Sequence, residues 1–327
     1  MAKNIAVVGC GHWGKNLVRN FAELGALCAV CDPNEELAQK FSDEYSVPIF
    51  SFDEITESNL VKGVVIAVPA PLHSSMAIAA MNSGKHVYVE KPLAMNDLEA
   101  KAMIDCSLEK KKHLMVGHLL QYHPIFRELK RFVESGKIGD LHYIYSNRLS
   151  FGKLRMDEDV IWSFAPHDVS MVLSLVGSEP LSVRAEAKAI LQPNISDIAT
   201  LYLEFPGNVK AQVSVSWLHP EKEQKLVVIG SNGMLVFDDT KLWTEKLAYH
   251  SHSSKGFPEV AGLLRGEKHF IEVHEAEPLR EECSHFLDVV LGTVKPRTDG
   301  EEGLRVLSVL MAASRDLRDK VYKKELD

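Results

Sequence analysis

The chain has 327 residues, enough for two domains that each bury a core of their own. Its 46% hydrophobic and 25% charged content is that of an ordinary globular protein and excludes wholesale disorder. A net charge of -8, with no dense lysine or arginine block, argues against nucleic-acid binding. No apolar run approaches the roughly 18 residues a membrane span needs, so no membrane partner is expected.

In chain order, Met1-Ala2-Lys3-Asn4 enters an apolar strand too soon interrupted by glycine to be a signal peptide. That strand, Ile5-Ala6-Val7-Val8, stops at Gly9. Leu17, Phe21 and Leu24 then share one helical face, and Gly25 ends the helix. Leu27 to Cys31 predicts a second strand closing at Asp32. Leu37, Ala38, Phe41 and Tyr45 mark the next helix, and Ile49-Phe50 a third short strand. Val64 to Val68 is a continuous apolar run, as expected for a parallel strand covered on both faces. His86 to Val89 and Leu114 to Val116 supply strands five and six, with helices near 74–83 and 97–111. Six strands joined by helical crossovers predict a doubly wound parallel sheet, a Rossmann-type α/β domain over 1–118.

A helix near 123–135 bridges to a different pattern. Leu201, Leu203 and Phe205 alternate with other residues, as do Val213, Val215 and Trp217. This period of two predicts a large, mostly antiparallel sheet with one face buried, joined by segments near 141–150, 181–191, 225–230 and 234–238. One helix near 167–176 interrupts it. The second domain, α+β, is set at 119–300. Asp299 then caps a last helix (301–327), with Glu302 placed to reach back. The charged, histidine-rich stretch from His250 to Glu277 is the least defined, with His250 and His252 read as lying on a soft loop.

Five cysteines, at 10, 28, 31, 106 and 283, form neither a CxxC pair nor a secreted disulfide pattern, which fits reduced thiols and a cytoplasmic address. His250 with His252, and His269 with His274, lack cysteine partners, so no metal site is expected.

The strongest chemical signal is Gly9-Cys10-Gly11-His12-Trp13-Gly14, placed between a strand and a helix. Gly9 permits the tight turn, Gly11 the approach of a pyrophosphate, and Gly14 close packing of helix on strand. The helix start presents free N–H groups to phosphates. Asp32 stands where a carboxylate meets the adenosine ribose, and Pro33, Asn34 and Glu35 beside it offer nothing to a 2′-phosphate, which favours NAD over NADP. Asp32 also suits a helix cap. Val68-Pro69 and the following loop, down to His73, should border the cofactor, though a loop histidine is also at home on a surface.

Glu90-Lys91-Pro92 closes the fifth strand at the same sheet edge, and proline there turns the chain and aims the lysine outward. An ammonium at that place can stabilise a developing alkoxide or, with a lowered pKa, take a proton. A lysine paired with Glu90 in solvent is the plain alternative.

These marks resemble the Gfo/Idh/MocA family of sugar and cyclitol oxidoreductases: GCGHWG, Asp32, VIAVPAPLH, VEKPLA around Lys91, and the histidine in Ser163-Phe164-Ala165-Pro166-His167-Asp168. The resemblance implies a ring bound over the nicotinamide with Lys91 and His167 beside the hydroxyl to be oxidised, and a C-terminal helix, 301–327, that returns to pack on the first domain. Ser163 stands where many members have an aspartate, although Asp168 is adjacent to the histidine. HLLQYHPIF, YSNRLSFGKLR, IWSFAPHDVS and PLREECSHFL resemble members that oxidise the 3-hydroxyl of nucleotide-activated sugars, with UDP-N-acetylglucosamine and its uronate as leading substrates.

On that resemblance Arg148 and Arg155 would supply positive charge for a diphosphate, with Asn147 as a polar contact and Tyr122 at the substrate cleft; solvated strand-edge charges are the plain alternative for the basic residues. Lys153 is taken as a solvated charge. Gln121 would border the cofactor, and Trp162 would cover the nicotinamide or fill core. Competing readings are a dehydrogenase of a free aldose or inositol, and a non-catalytic NAD-binding sensor. The uncovered face of the second sheet is expected to meet another copy, giving a homodimer or homotetramer.

Overall fold

Short apolar runs without a polar face make strands only where both sides are covered. β1 (Ile5–Val8), β3 (Gly63–Ile66) and β5 (Leu114–Gly117) are such runs, buried at every residue. With β2 (Leu27–Cys31) and β4 (His86–Glu90) they form a parallel sheet in the order β2-β1-β3-β4-β5. The fold here is a computed structural model, which describes residues 3–152, 155, 158–253 and 264–324, apart from the side chains of 253, 264, 265 and 321–324.

Helices α1 (Gly14–Glu23), α2 (Glu35–Tyr45), α3 (Phe52–Glu57), α4 (His73–Asn82) and α5 (Asp97–Lys110) connect the strands. The expected strand at Ile49-Phe50 is reduced to a single bridge between Ile49 and Val30, so the sheet has five strands, not six. The cause is local. Ser51 and Glu54 form a reciprocal capping box that starts α3 at once and leaves no room for a ladder.

The next region holds α6 (Pro124–Glu134), β6 (Leu141–Phe151), α7 (Val160–Val176) and strands β7 (Ser182–Lys188), β8 (Ile198–Glu204), β9 (Lys210–Ser216), β10 (Leu218–Gly230), β11 (Gly233–Asp238), β12 (Leu247–Ser253) and β13 (Leu264–Phe270). The sheet order is β13-β12-β11-β10-β6-β9-β8-β7, antiparallel except for the parallel β6–β9 pair. His250 and His252 lie on β12, between two partner strands, rather than on a loop. Within that stretch residues 254–263 lie outside the described residues, and 264–270 form β13.

Helix α7 starts seven residues before the expected position. Asp159 accepts from the backbone N–H of Ile161 and Trp162 and so caps the helix ahead of Pro166. The proline is then interior, at the cost of one backbone hydrogen bond.

The chain closes with α8 (Pro278–Val290) and α9 (Gly300–Lys324). Two compact units result, Met1–Tyr122 with Ala276–Leu307, and His123–Glu275 with Ser308–Asp327. The return to the first unit therefore begins at 276 rather than 301, and the later turns of α9 count with the second. Asp316 on α9 accepts from the Ala185 N–H, and Lys320 donates to the Ala185 carbonyl. Asp299 caps α9 as expected, but the Glu302 carboxylate turns to His118 instead of reaching back.

The cores are the expected ones. Leu17, Phe21, Val65 and Tyr88 sit in the first with Phe286 of α8, and Leu201, Leu203, Val213, Val215 and Trp217 are buried in the second. All five cysteines are free thiols. Among the described residues no helix is long and apolar enough to cross a membrane.

Candidate active site

The glycine turn is built by close approach. A Cβ on Gly9 would lie 2.6 Å from the Ala67 carbonyl oxygen, and one on Gly14 would lie 1.9 Å from the Gly9 oxygen. Gly9 also has φ +89°, open to few side chains. A Cβ on Gly11 would meet nothing within 4 Å, so the turn is open on that side. Trp13 at the N-cap of α1 makes no side-chain cap, and the Lys15 and Asn16 N–H groups of the first turn donate to the Gly11 and Trp13 carbonyls, so a phosphate is left to the amides of the glycine turn ahead of them. His12 is exposed beside them. An open cradle of amides at a helix start fits a pyrophosphate.

Asp32 ties this cradle to β2. Its Oδ2 accepts from the Cys10 N–H at 2.6 Å and its Oδ1 from the Asn34 N–H at 2.9 Å. The helix cap is Asn34, not Asp32. Each Asp32 oxygen keeps a second lone pair for a ribose hydroxyl.

Val68 and Pro69 follow β3 and lie beside the Gly9 turn through Ala67. His73, expected to touch the cofactor, is instead buried, with Nδ1 2.8 Å from the Pro92 oxygen and Nε2 2.9 Å from the Val68 oxygen. It clamps the two loops that leave β3 and β4. Burial, partly opposed by these carbonyls, holds its pKa below the usual imidazole value.

Glu90 and Trp13, both expected near the cofactor, meet directly. Glu90 Oε1 accepts from Trp13 Nε1 at 2.6 Å and from the Tyr88 hydroxyl at 3.0 Å, and its Oε2 from the Lys91 N–H at 3.2 Å. Burial raises the Glu90 pKa, and the Trp13, Lys91 and Tyr88 contacts oppose it. Gly117 on β5 makes room, since a Cβ there would stand 2.8 Å from the Tyr88 hydroxyl and 2.9 Å from Glu90 Oε2. Lys91 follows at the carboxyl end of β4, half-buried, before a cis bond to Pro92.

Gln121 and Tyr122 occupy a short 3-10 helix and are buried. Tyr122 is only 1% exposed, and its hydroxyl meets Thr298 Oγ1 at 3.1 Å under the Arg297 guanidinium. That makes it a core residue and withdraws it as a sugar contact. The Gln121 carbonyl accepts from Arg297.

In the second unit His167 lies in mid-α7, half-buried, one turn beyond the buried Ser163. Asp168, the carboxylate next to it, is committed elsewhere. It accepts from Ser146 Oγ at 2.6 Å and from Arg148 Nε at 2.6 Å, both on β6. Arg148 thus neutralises a buried carboxylate and is not a free diphosphate contact. Asn147, one residue away on a strand, points to the opposite face and donates to Glu223. Arg148 and Asn147 therefore cannot share a subsite. Arg155 is half-exposed and pairs with Glu158 at 2.6 Å, while Lys153 lies outside the described residues. Trp162 donates its indole N–H to Ser314 of α9, packing within its own unit. His123, which begins the bridging segment, caps α6 through Nδ1 and meets Asp239 through Nε2 at 3.3 Å.

The sequence reading missed Tyr88 and Glu282, which lie behind Glu90. An S-x-x-E box announces α3, and the apolar spacing of Leu279, Cys283 and Phe286 announces α8, which carries Glu282. Among the described residues no three His, Cys, Asp or Glu side chains group as for a metal ion.

Comparison with known proteins agrees with this layout. Residues 3–118 match the model of an oxidoreductase family with an NAD-binding Rossmann fold, and 126–236 match the GFO/IDH/MocA C-terminal domain. A UDP-N-acetylglucosamine 3-dehydrogenase of Acidithiobacillus ferrooxidans is 27% identical over 93% of this chain and 94% of its own. Its crystal structure superposes with a TM-score of 0.85 at 25% identity, covering 96% of each chain. A scyllo-inositol 2-dehydrogenase (NAD(+)) of Bacillus subtilis is 27% identical over 70% of this chain and 72% of its own.

Proposed function

We propose that this chain, which belongs to the Gfo/Idh/MocA family of NAD-binding oxidoreductases, oxidises the 3-hydroxyl of a UDP-linked N-acetylated sugar to the 3-keto sugar. UDP-N-acetylglucosamine or its uronate is the substrate on this reading. The observation that carries the substrate half is the near full-length likeness to a UDP-N-acetylglucosamine 3-dehydrogenase. The cofactor half rests on the open glycine cradle and on Asp32 beside it.

When bound, NAD supplies a nicotinamide ring that accepts a hydride. The chain's own part is to hold that cofactor through Gly9, Gly11, Gly14 and Asp32, and to handle the hydroxyl proton. We assign the proton to Lys91 and His167. Asp168, next to His167, is engaged by Arg148 and Ser146. The role of His167 is general base or stabiliser of the alkoxide, shared with Lys91.

Purified protein given NAD and either UDP-sugar is expected to form NADH, with 2-oxoglutarate added as hydride acceptor where cofactor is retained. Lys91→Ala and His167→Ala should each lower kcat/KM by about a hundredfold or more. The likeness to the inositol dehydrogenase supports a second reading, oxidation of inositol or a free aldose. Turnover of those polyols with inertness toward both UDP-sugars would replace the first reading by the second.

A further inference from the structure

Behind the cofactor edge of the first unit lies a buried acidic cluster that the proposed reaction does not use. Glu282 of α8 is 0% exposed, and Glu90 of β4 and Glu302 of α9 are 9% and 8% exposed. The groups facing Glu282 are Tyr88 and Glu90 from β4, Cys283 from α8 itself, Glu302 from α9, and Tyr122 with Arg297 beyond it. Two of the three carboxyls have partners that accommodate charge. Glu302 faces His118 Nδ1 at 2.5 Å, and Glu90 receives the N–H of Trp13, the O–H of Tyr88 and the N–H of Lys91.

Glu282 differs. Among the described residues neither of its oxygens meets a donor in good hydrogen-bonding geometry. The Tyr88 hydroxyl is within range of it, but spends its proton on Glu90. An ionised carboxylate without donors, beside two other acids in a dry core, is far costlier than a neutral acid. A neutral acid in turn needs an acceptor, and the Tyr88 oxygen retains lone pairs for it.

We propose that Glu282 is a protonated acid donating to Tyr88 Oη, which donates to Glu90 Oε1, and that this chain of two hydrogen bonds keeps Glu90 as the anion that holds the Trp13 indole at the glycine turn. Glu282 and Tyr88 are then positioning residues for the cofactor site, acting through Glu90. Donation into Tyr88 polarises its O–H and strengthens the bond to Glu90. The return of α8 to the first unit thereby sets one wall of the cofactor cradle. The inference rests on the cofactor half of the proposed function and not on the identity of the sugar.

The test uses the full-length protein and NAD alone. Infrared difference spectra of wild type against Glu282→Gln at neutral pH should show a protonated-carboxyl C=O stretch that the variant lacks. Tyr88→Phe, which keeps the ring packing, should weaken NAD binding by about tenfold in calorimetric titration. Glu282→Leu should weaken it several-fold. Glu282→Gln, whose amide can donate to Tyr88, should restore it to within about threefold of wild type. A difference spectrum without that band overturns the neutral acid. Tyr88→Phe binding NAD as wild type does, or Gln failing where Leu fails, overturns the positioning role. Neither readout contains a sugar, so failure here and failure to oxidise UDP-sugars are separate results.

Discussion

Trp13, Cys10 and His86 show how a neighbouring group decides what a side chain does. Trp13 is 39% exposed, yet its indole is held by Glu90, so an apparently solvated aromatic is fixed at the glycine turn. Cys10 sits in the same turn and looks poised for chemistry. It is fully buried, and burial followed by the Asp32 charge pushes its thiol up to about 12. Cys10 should therefore escape alkylation by iodoacetamide at pH 7 in the native protein and react only on unfolding, as peptide mass mapping would read. Rapid labelling of native Cys10 would contradict this.

His86 lies at the opposite, amino-terminal end of β4. Its Nδ1 accepts from the His113 N–H and its ring stacks on His113 at 5.2 Å. Burial first, then the Lys112 charge, lowers its pKa from 6.5 to about 4. A group whose folded pKa lies below its unfolded value binds fewer protons when folded. Its stabilising effect is therefore whole above pH 6.5 and is lost as pH falls from 6.5 toward 4. In His86→Gln, which keeps an acceptor, the melting temperature should fall less steeply across that interval. An unchanged slope would mean that His86 does not couple folding to acid.

At the scale of elements, the Asp168–Arg148 pair joins helix α7 to strand β6. Its side chains are 2% and 13% exposed, and Ser146 completes the carboxylate's partners. Removing one member of a buried pair leaves an unpaired charge. Asp168→Ala should thus cost about 3 kcal/mol in urea unfolding. A loss below 1 kcal/mol would show that β6 and α7 do not depend on it. This pair also shows where sequence reading runs out. Alternation along β8 and β9 was legible because Leu201, Leu203, Val213 and Val215 are driven inward by burial alone. Arg148 was misassigned because its partner is an acid on a helix 20 positions away, which no local pattern reveals. The glycine turn was legible for the opposite reason, since its constraints are backbone contacts within one strand–turn–helix unit. Glu282 was invisible as a functional residue because its place depends on where α8 returns. In isolation it reads as one more acid in a helix that also carries Glu281.

At the scale of the whole molecule, the open face of the second sheet remains to be explained. Helices α6 and α7 pack against one side, toward which Ile144, Ser146 and Arg148 of β6 point. The other side carries Tyr143 and Tyr145, with ring centroids 4.4 Å apart. Strand pairing sets Ile229 and Val227 of β10 opposite these tyrosines, and Met234 and Val236 of β11 opposite Ile229 and Val227. A contiguous half-buried apolar field of this kind on a sheet is unusual for a free surface. A second copy of the same chain, related by a two-fold axis, is the occupant expected, because a flat apolar face complements itself. Light scattering should then give a mass at least twice 36.5 kDa. Tyr145→Glu with Val236→Glu places charge in the middle of the field without touching either core, and should reduce the particle to one chain while NAD binding persists. A wild-type particle of one chain's mass would instead leave this face to a different partner.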